Sequence, residues 1–401
     1  MAASRWTPTP RRSPTLTSER DDVRKLDALT SLRFFAALAI VIHHSKVAFE
    51  ATAWINSPIP LDYGVSFFFV LSGFILSYSH PESSRKTSAR SFYVARFARI
   101  WPLHLVTFLL CLALIPERAR LSPDSFDTTL ANLTLVHAWI PMAGYFFSYN
   151  SVSWSISAEA FFYLCFPFLS RNLARTWHWK LFLVMGLGAA VLFVATALQV
   201  PSYNHDAPFQ VSSTGMSYIS PFVRISEFFL GMLTALAYSK YAHVLKLKPV
   251  VWTLLEIGAL ALVPVMVHFS RVATGFVGST LTHSEPVAEY LGHAGGAPAF
   301  MVVIFIMAFG NGYISRLLFW RPLVILGEAS FALYLVHQIF IGWYFMNIPS
   351  LTAIPNNVIF VVYWVASISA SLLLWRFVET PMRQKIRGWL APGRSSPTAP
   401  V

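Results

Sequence analysis

The sequence predicts an all-α, polytopic membrane protein of about ten transmembrane helices, with the N- and C-termini both cytoplasmic. Three observations predict it. Of the 401 residues, 55% are hydrophobic and only 12% are charged. The apolar residues gather into ten runs long enough to cross a bilayer, and the loops between them alternate between rich and poor in basic residues. A soluble domain carries about 25% charged residues, so this chain has roughly half the usual means of facing water.

Residues 1–25 are polar, basic and rich in Pro, Ser and Thr, with no apolar stretch or small-residue cleavage site. They are expected to form a disordered cytoplasmic tail rather than a secretory signal. A helix needs about 17–25 mostly apolar residues to span a membrane. Ten segments qualify: 29–48, 61–79, 100–115, 153–170, 181–200, 220–238, 250–270, 298–314, 323–344 and 357–377. The third and eighth are short. Segment 125–142 is moderately apolar and is expected along the membrane interface rather than across it. Residues 26–388 thus make one transmembrane domain, and 389–401 form a second short cytoplasmic tail.

The loops support this count. With the N-terminus inside, the cytoplasmic segments collect Arg85, Lys86, Arg90, Arg96 and Arg99, then Arg171, Arg175 and Lys180, then Lys240, Lys246 and Lys248. They also hold Arg316 and Arg321, and finally Arg383, Lys385, Arg387 and Arg394. The opposite side receives only Lys46, Arg118, Arg120, Arg224 and Arg271. One missed span would place basic clusters on both sides. The same loops account for the net charge of +12 without a nucleic-acid partner, since no run of five or more basic residues occurs. Cys111 and Cys165 both lie in apolar stretches, so neither a disulfide framework nor a thiol metal site is expected.

Ionisable side chains inside membrane helices are costly and therefore point to function. The first span, LTSLRFFAALAIVIHHSK, holds Arg33 and His44 eleven residues apart. That is about three turns plus 20°, so the two share a helix face, whereas His43 falls about 80° away. His44 lies about 16 Å along the axis from Arg33, near mid-membrane if Arg33 marks the inner boundary. A neutral imidazole there could act as general base for a hydroxyl. A buried histidine bonded to a neighbouring helix would also fit the pattern.

In the second span, Ser72–Gly73 suits close helix packing. The basic stretch before the third span places Arg85 and Arg96 eleven apart and Arg96 and Arg99 on one face. Positive-inside anchoring would explain them; so would a cradle for the phosphates of a cytosolic donor. The fourth span aligns Ser155, Glu159 and Tyr163 at i, i+4 and i+8, and an unpaired buried carboxylate there would be expensive. Glu159 is expected either to orient His44 or to pair with an arginine. The ninth span places Ser330, Tyr334 and His337 on a common side. Glu227 and the Glu379/Arg383 pair read as structural. The absence of Walker, GxGxxG, GxSxG, HExxH and CxxC patterns leaves ATP hydrolysis, nicotinamide chemistry and zinc without support.

Seven segments in this order resemble acyltransferase family 3, bacterial inner-membrane proteins that O-acylate polysaccharides, lipopolysaccharide, nodulation factors and macrolide sugars. The segments are LTSLRFFAALAIVIHH, GVSFFFVLSGFIL, RFARIWPLH, WSISAEAFFYLCFP, EFFLGM, LGEASFALYLVH and VETPMR, spread over about residues 26–388. The family's Arg-x10-His element falls on Arg33 and His44, and its Arg-x10-Arg element on Arg85 and Arg96. Its Trp-x4-Glu falls on Trp154 and Glu159, and its Tyr-x2-His on Tyr334 and His337. Three positions depart from the family: Ala160 and Phe161 replace a second carboxylate and its neighbour, and Ser66 stands where many members have Asp.

The resemblance implies an acyl-CoA donor, most often acetyl-CoA, bound from the cytoplasm by Arg85 and Arg96 with Arg99 and Arg33 nearby. It implies that His44 either deprotonates the acceptor hydroxyl or briefly carries the acyl group, positioned by Glu159 or His337. Trp154, Ser155, Tyr163 and Tyr334 are the expected substrate contacts, and no metal is expected. The implied acceptor is a carbohydrate: exopolysaccharide, lipopolysaccharide or a glycosylated metabolite. Without the C-terminal hydrolase-like domain of some members, its recognition falls to loops 116–152, 201–219 and 271–297. The alternative reading is a transporter of a glycan or lipid-linked sugar, against which stands the lack of visible inverted repeats.

Overall fold

A computed structural model describes residues 26–49, 61–81, 88–116, 125–280 and 285–390. The sequence-based expectations for residues 1–25 and for the tail after Leu390 lie outside the described residues; Trp389 and Leu390 close the last helix.

The described chain is helical throughout. Helix α1 (Asp27–Ala48) is followed by a 3-10 turn, Leu61–Tyr63, that feeds α2 (Gly64–Ser79), and then by α3 (Ala89–Leu114). Short helices α4 (Ser125–Leu133) and α5 (Ala143–Phe146) precede α6 (Trp154–Ser170) and α7 (Leu173–Ala197). A π-helical turn, Gly215–Ile219, leads into α8 (Pro221–Tyr241), and α9 (Pro249–Thr280), α10 (Glu285–Ala294), α11 (Ala297–Phe309) and α12 (Tyr313–Leu318) follow. Helices α13 (Arg321–Leu351) and α14 (Asn356–Leu374) are the last long ones, and a second π turn, Trp375–Glu379, joins α14 to α15 (Thr380–Leu390).

Ten helical stretches among the described residues are long and apolar enough to cross a membrane, at the ten places the hydropathy predicts. The two short segments lengthen in the structure. The third begins at Ala89 because Ser88 caps it, its hydroxyl accepting from the Ser91 N–H at 3.1 Å. The basic stretch therefore continues α3 as helix, and Arg96 and Arg99 ride on it. The eighth is α10 and α11 in series, Glu285–Phe309. Segment 125–142 is not among the spans; its α4 exposes Phe126 and Leu130 on one side and packs inward on the other. Asn132 and His137 are fully buried, and the Trp101 indole N–H donates to the Leu133 carbonyl at 3.1 Å.

The bundle is assembled through close crossings. A Cβ on Gly73 would lie 1.9 Å from the Phe228 carbonyl oxygen, and one on Gly231 would lie 1.9 Å from that of Val70. Only glycine lets the α2 and α8 backbones approach so near. Gly327 makes the same approach to the Thr30 carbonyl, fixing α13 against α1.

Both pairs run parallel. Ser66 meets Glu227 near one end of α2–α8 and Tyr78 meets Tyr238 near the other, while Thr30/Gly327 and His44/His337 mark the two ends of α1–α13. Parallel pairing of the second with the sixth span, and of the first with the ninth, is what ten alternating crossings require. Large apolar side chains of α7, α9 and α14, such as Phe182, Phe276 and Val365, remain exposed on the outside, as lipid contact demands.

Candidate active site

Three cavities line up inside the bundle, and shared wall residues join each to the next. The first, about 300 Å³, opens where α1, α3 and α13 begin and is lined by Arg33, Arg96, Arg99, Arg383 and Arg387 against Glu328 and Glu379. The second, about 150 Å³, shares Arg33, Arg96 and Arg99 with it and adds Ser72, Ser155, Glu159, Tyr163 and Tyr334. The third, about 460 Å³, shares Val65 and Tyr334 with the second and contains His44. Its walls come from the last turns of α1, the start of α2, the middle of α13 and residues 143–152 and 203–208. Two of the three loops expected to recognise the acceptor thus line the chamber that holds the histidine.

In the basic vestibule the α15 helix packs against α3. Arg99 forms an ion pair with Glu379 and lies over the Phe331 ring at 5.3 Å. This corrects the expected Glu379/Arg383 pair: Glu379 reaches across to α3, and Arg383 is left lining the vestibule. Arg96 stacks on Phe92 and Tyr163 at 5.9 and 5.7 Å. Arg85 lies outside the described residues.

In the middle cavity Glu159 accepts hydrogen bonds from the Ser72 hydroxyl at 2.9 Å and the Tyr163 hydroxyl at 2.5 Å. Ser72, read from the sequence as a packing residue, thus serves a carboxylate, and packing is left to Gly73. The i, i+4, i+8 stripe divides: Tyr163 binds Glu159, whereas Ser155 donates to the Tyr334 hydroxyl at 2.9 Å. Tyr334 in turn donates to the Val152 carbonyl at 3.0 Å, so the ring that separates the middle and outer cavities is tied to the start of α6. Asn150 adds a further tie, donating to the Leu335 carbonyl at 2.8 Å.

In the outer chamber His44 Nδ1 lies 2.9 Å from His337 Nε2. The rings are inclined by only 13° with centroids 5.2 Å apart, which is the N···N distance plus the two ring radii, so they meet edge to edge in line. His337 Nδ1 is 3.2 Å from the Leu333 carbonyl oxygen, which can only accept. That assigns the protons: Nδ1–H of His337 donates to Leu333, its Nε2 accepts from Nδ1–H of His44, and His44 Nε2 keeps a free lone pair. His337 is fully buried, whereas His44 lines the chamber. His43, which the helical periodicity sets off the Arg33 face, meets His44 edge-on at 5.4 Å and does not line the chamber.

Of the two residues expected to position His44, His337 touches it and Glu159 sits in the adjoining cavity. Ser330, on the same side of α13, instead donates to the Gly327 carbonyl within the α1 crossing. Trp154 lines the outer chamber against Phe69 and Tyr218. Glu227 is structural as expected, paired with Arg224 at 2.6 Å and accepting from Ser66. The sequence reading missed Glu328, Arg383 and Arg387 in the vestibule; the Arg383/Arg387 spacing on one face of an amphipathic terminal helix was the available signal. Outside the spans, buried His137 accepts or donates through Nε2 to Ser153 at 3.2 Å, and burial beside the His104 ring holds its pKa down at about 3.

An arginine-lined vestibule, a small middle cavity and a histidine-containing chamber follow one another in the bundle, neighbouring cavities sharing wall residues. The family comparison gives the class: the acyltransferase family 3 model, described as an acyltransferase domain, matches residues 26–376, and the chain belongs to that family. It is an acyltransferase of the O-acetyltransferase-like kind. Among relatives, it is 32% identical over 330 residues to the acyltransferase MdmB of Streptomyces mycarofaciens, covering 79% of each chain. It is 24% identical over 391 residues to the O-acetyltransferase OatA of Staphylococcus aureus, covering 90% of this chain and 58% of that protein. It is also 24% identical over 382 residues to the peptidoglycan O-acetyltransferase OatA of Listeria monocytogenes, covering 89% and 56%. The chain therefore spans little more than half the length of the two OatA relatives. No solved structure matches it significantly.

Proposed function

We propose that this protein transfers an acetyl group from cytosolic acetyl-CoA to a hydroxyl of a carbohydrate, within a bacterial plasma membrane that both termini face from the cytoplasmic side. The single observation that carries this reading is the His44–His337–Leu333 chain at the wall of the outer chamber; the middle cavity shares wall residues with that chamber and with the arginine-lined vestibule.

Arg33, Arg96 and Arg99, with Arg383 and Arg387, hold the CoA phosphates in the vestibule, since guanidinium forks match phosphate oxygens. Arg85, at the matching family position, completes the cradle. The pantetheine arm threads the middle cavity past Glu159 and Tyr163, and the thioester meets the acceptor beside Tyr334. His44 Nε2 takes the proton of the acceptor hydroxyl as its oxygen bonds to the thioester carbonyl carbon. The carbon–sulfur bond then breaks, and the imidazolium returns the proton to the departing CoA sulfur. His337 holds the His44 ring and accepts from its Nδ1–H throughout, in the way a third group orients a catalytic base. Glu159 offsets the arginine charges around the passage, and Trp154 and Ser155 shape its outer end.

The loops lining the outer chamber, and the peptidoglycan acceptor named for one relative, support a sugar hydroxyl as acceptor. Membranes containing the protein, incubated with acetyl-CoA radiolabelled in the acetyl group, are expected to place label on envelope glycan or on an added glycoside. Consumption of acetyl-CoA with label going only to water or protein would contradict the carbohydrate reading.

A further inference from the structure

The outer chamber holds a second polar pair besides the histidine dyad. Asp62, in the turn that opens α2, lines the chamber together with His44. Its Oδ2 receives the Nδ1–H of His293 from α10 at 2.7 Å, and the His293 ring rests on Tyr218, another wall residue, with centroids 4.1 Å apart. The other carboxylate oxygen, Oδ1, is buried and has no hydrogen-bond partner among the described residues. Gln338, next in sequence to His337, also lines the chamber, and its Oε1 is likewise buried and unpartnered. A buried acceptor left without a donor is costly, so such atoms mark places where a ligand supplies one. A carboxylate can only accept, and the two residues that carry these buried oxygens line one cavity with aromatic walls at Trp154, Tyr203 and Tyr218. The complement of that arrangement is a ring with several hydroxyl donors and apolar C–H faces.

We propose that Asp62, held by His293 and assisted by Gln338, binds the acceptor sugar through hydroxyls adjacent to the one presented to His44, and so selects which hydroxyl is acylated. The proposal rests on the carbohydrate reading above and adds the residues that read the sugar. The tie to His293 leaves Asp62 one bound and one free oxygen, which fixes the direction in which it accepts.

Purified protein in nanodiscs is given radiolabelled acetyl-CoA and, separately, methyl α-D-glucopyranoside, its galacto and manno epimers, and methyl N-acetylglucosaminide, with label read in each glycoside. The wild type is expected to label at least one. For that glycoside, Asp62→Asn is expected to raise KM about ten- to a hundred-fold, the range of one hydrogen bond to a charged group, while KM for acetyl-CoA stays unchanged. Asparagine keeps an oxygen for His293, so a purely structural clamp between α2 and α10 would tolerate it. An unchanged glycoside KM in Asp62→Asn overturns the proposal while leaving the carbohydrate reading standing. A monodeoxy glycoside lacking the hydroxyl that Asp62 reads should be poor with the wild type and lose nothing further with Asp62→Asn; an equal further loss also overturns it. Label in no glycoside, with acetyl-CoA still bound, overturns the carbohydrate reading and this proposal with it.

Discussion

His44 Nδ1 and His337 Nε2 lie 2.9 Å apart although 293 residues separate them in the chain, because Gly327 lets α13 close on α1 three turns away. Together with the His337–Leu333 contact, the hydrogen bond assigns a tautomer to each ring and orients the buried His44 imidazole. A prediction follows for the supporting ring. His337→Ala should lower kcat by about 10²–10⁴-fold, the span that a positioned base contributes, with KM for acetyl-CoA unchanged. His337→Gln, which can still accept from His44 through Oε1, should recover part of that loss. Steady-state kinetics in detergent or nanodiscs checks both, and equal activity in the two variants would contradict an orienting role.

The Arg99–Glu379 pair gives a test that separates stability from donor binding. Glu379 is buried, and removing one partner of a buried ion pair costs about 3–5 kcal/mol because the other charge is left alone. Arg99→Ala should therefore lower the melting temperature more than Arg96→Ala does. The double variant Arg99→Met/Glu379→Met should recover stability yet keep a raised KM for acetyl-CoA. Recovery of both would assign Arg99 to the scaffold and remove it from the phosphate cradle.

The α2–α8 crossing should tolerate no added methyl. In Gly231→Ala the new Cβ would sit 1.9 Å from the Val70 carbonyl oxygen, whereas at Gly258 in α9 nothing lies within 4 Å. Overpacking of this kind costs about 1–3 kcal/mol. Gly231→Ala is expected to lower the melting temperature and Gly258→Ala to leave it or raise it slightly, as a helical glycine replaced by alanine does. Similar melting behaviour of the two variants would contradict the crossing.

His137 should make the fold acid-sensitive. Its pKa is held at about 3 against an ordinary 6.5, so the folded state excludes a proton that the unfolded state accepts. Above pH 6.5 both states carry the neutral ring and this group adds no pH dependence. As pH falls from 6.5 towards 3, stability should decline by up to about 1.4 kcal/mol per pH unit. Melting temperature against pH should fall over that window, less steeply in His137→Gln. Equal slopes would place the acid sensitivity elsewhere.

The helical spans and the Arg33–His44 face were legible because both depend on periodicity along one segment, and hydropathy and the 100° step per residue are local properties. The same periodicity singled out Glu159, Tyr334 and His337, and the family motifs gave them expected roles. Partners across helices were not legible. Nothing in the sequence tells whether Glu159 faces His44 or the arginines, that Glu379 reaches Arg99 rather than Arg383, or that Ser72 rather than its glycine neighbour carries a polar contact. Those choices follow from which elements meet in space, α6 against α2 for Glu159 and Ser72, and the Trp375–Glu379 turn against α3 for Glu379. Asp62 was invisible for another reason: at the end of a span it reads as an ordinary boundary residue until α10 brings His293 to it.

The proposed acyl transfer depends most directly on the lone pair of His44. Acetyl-CoA binding and acetyl transfer should be measured side by side on the wild type and His44→Ala, both reconstituted in nanodiscs. The predicted result is unchanged acetyl-CoA affinity, since the proposed phosphate contacts are arginines two cavities away, with transfer lost to background. Transfer by His44→Ala within about tenfold of the wild type, well short of the loss expected on removing a general base, would contradict it.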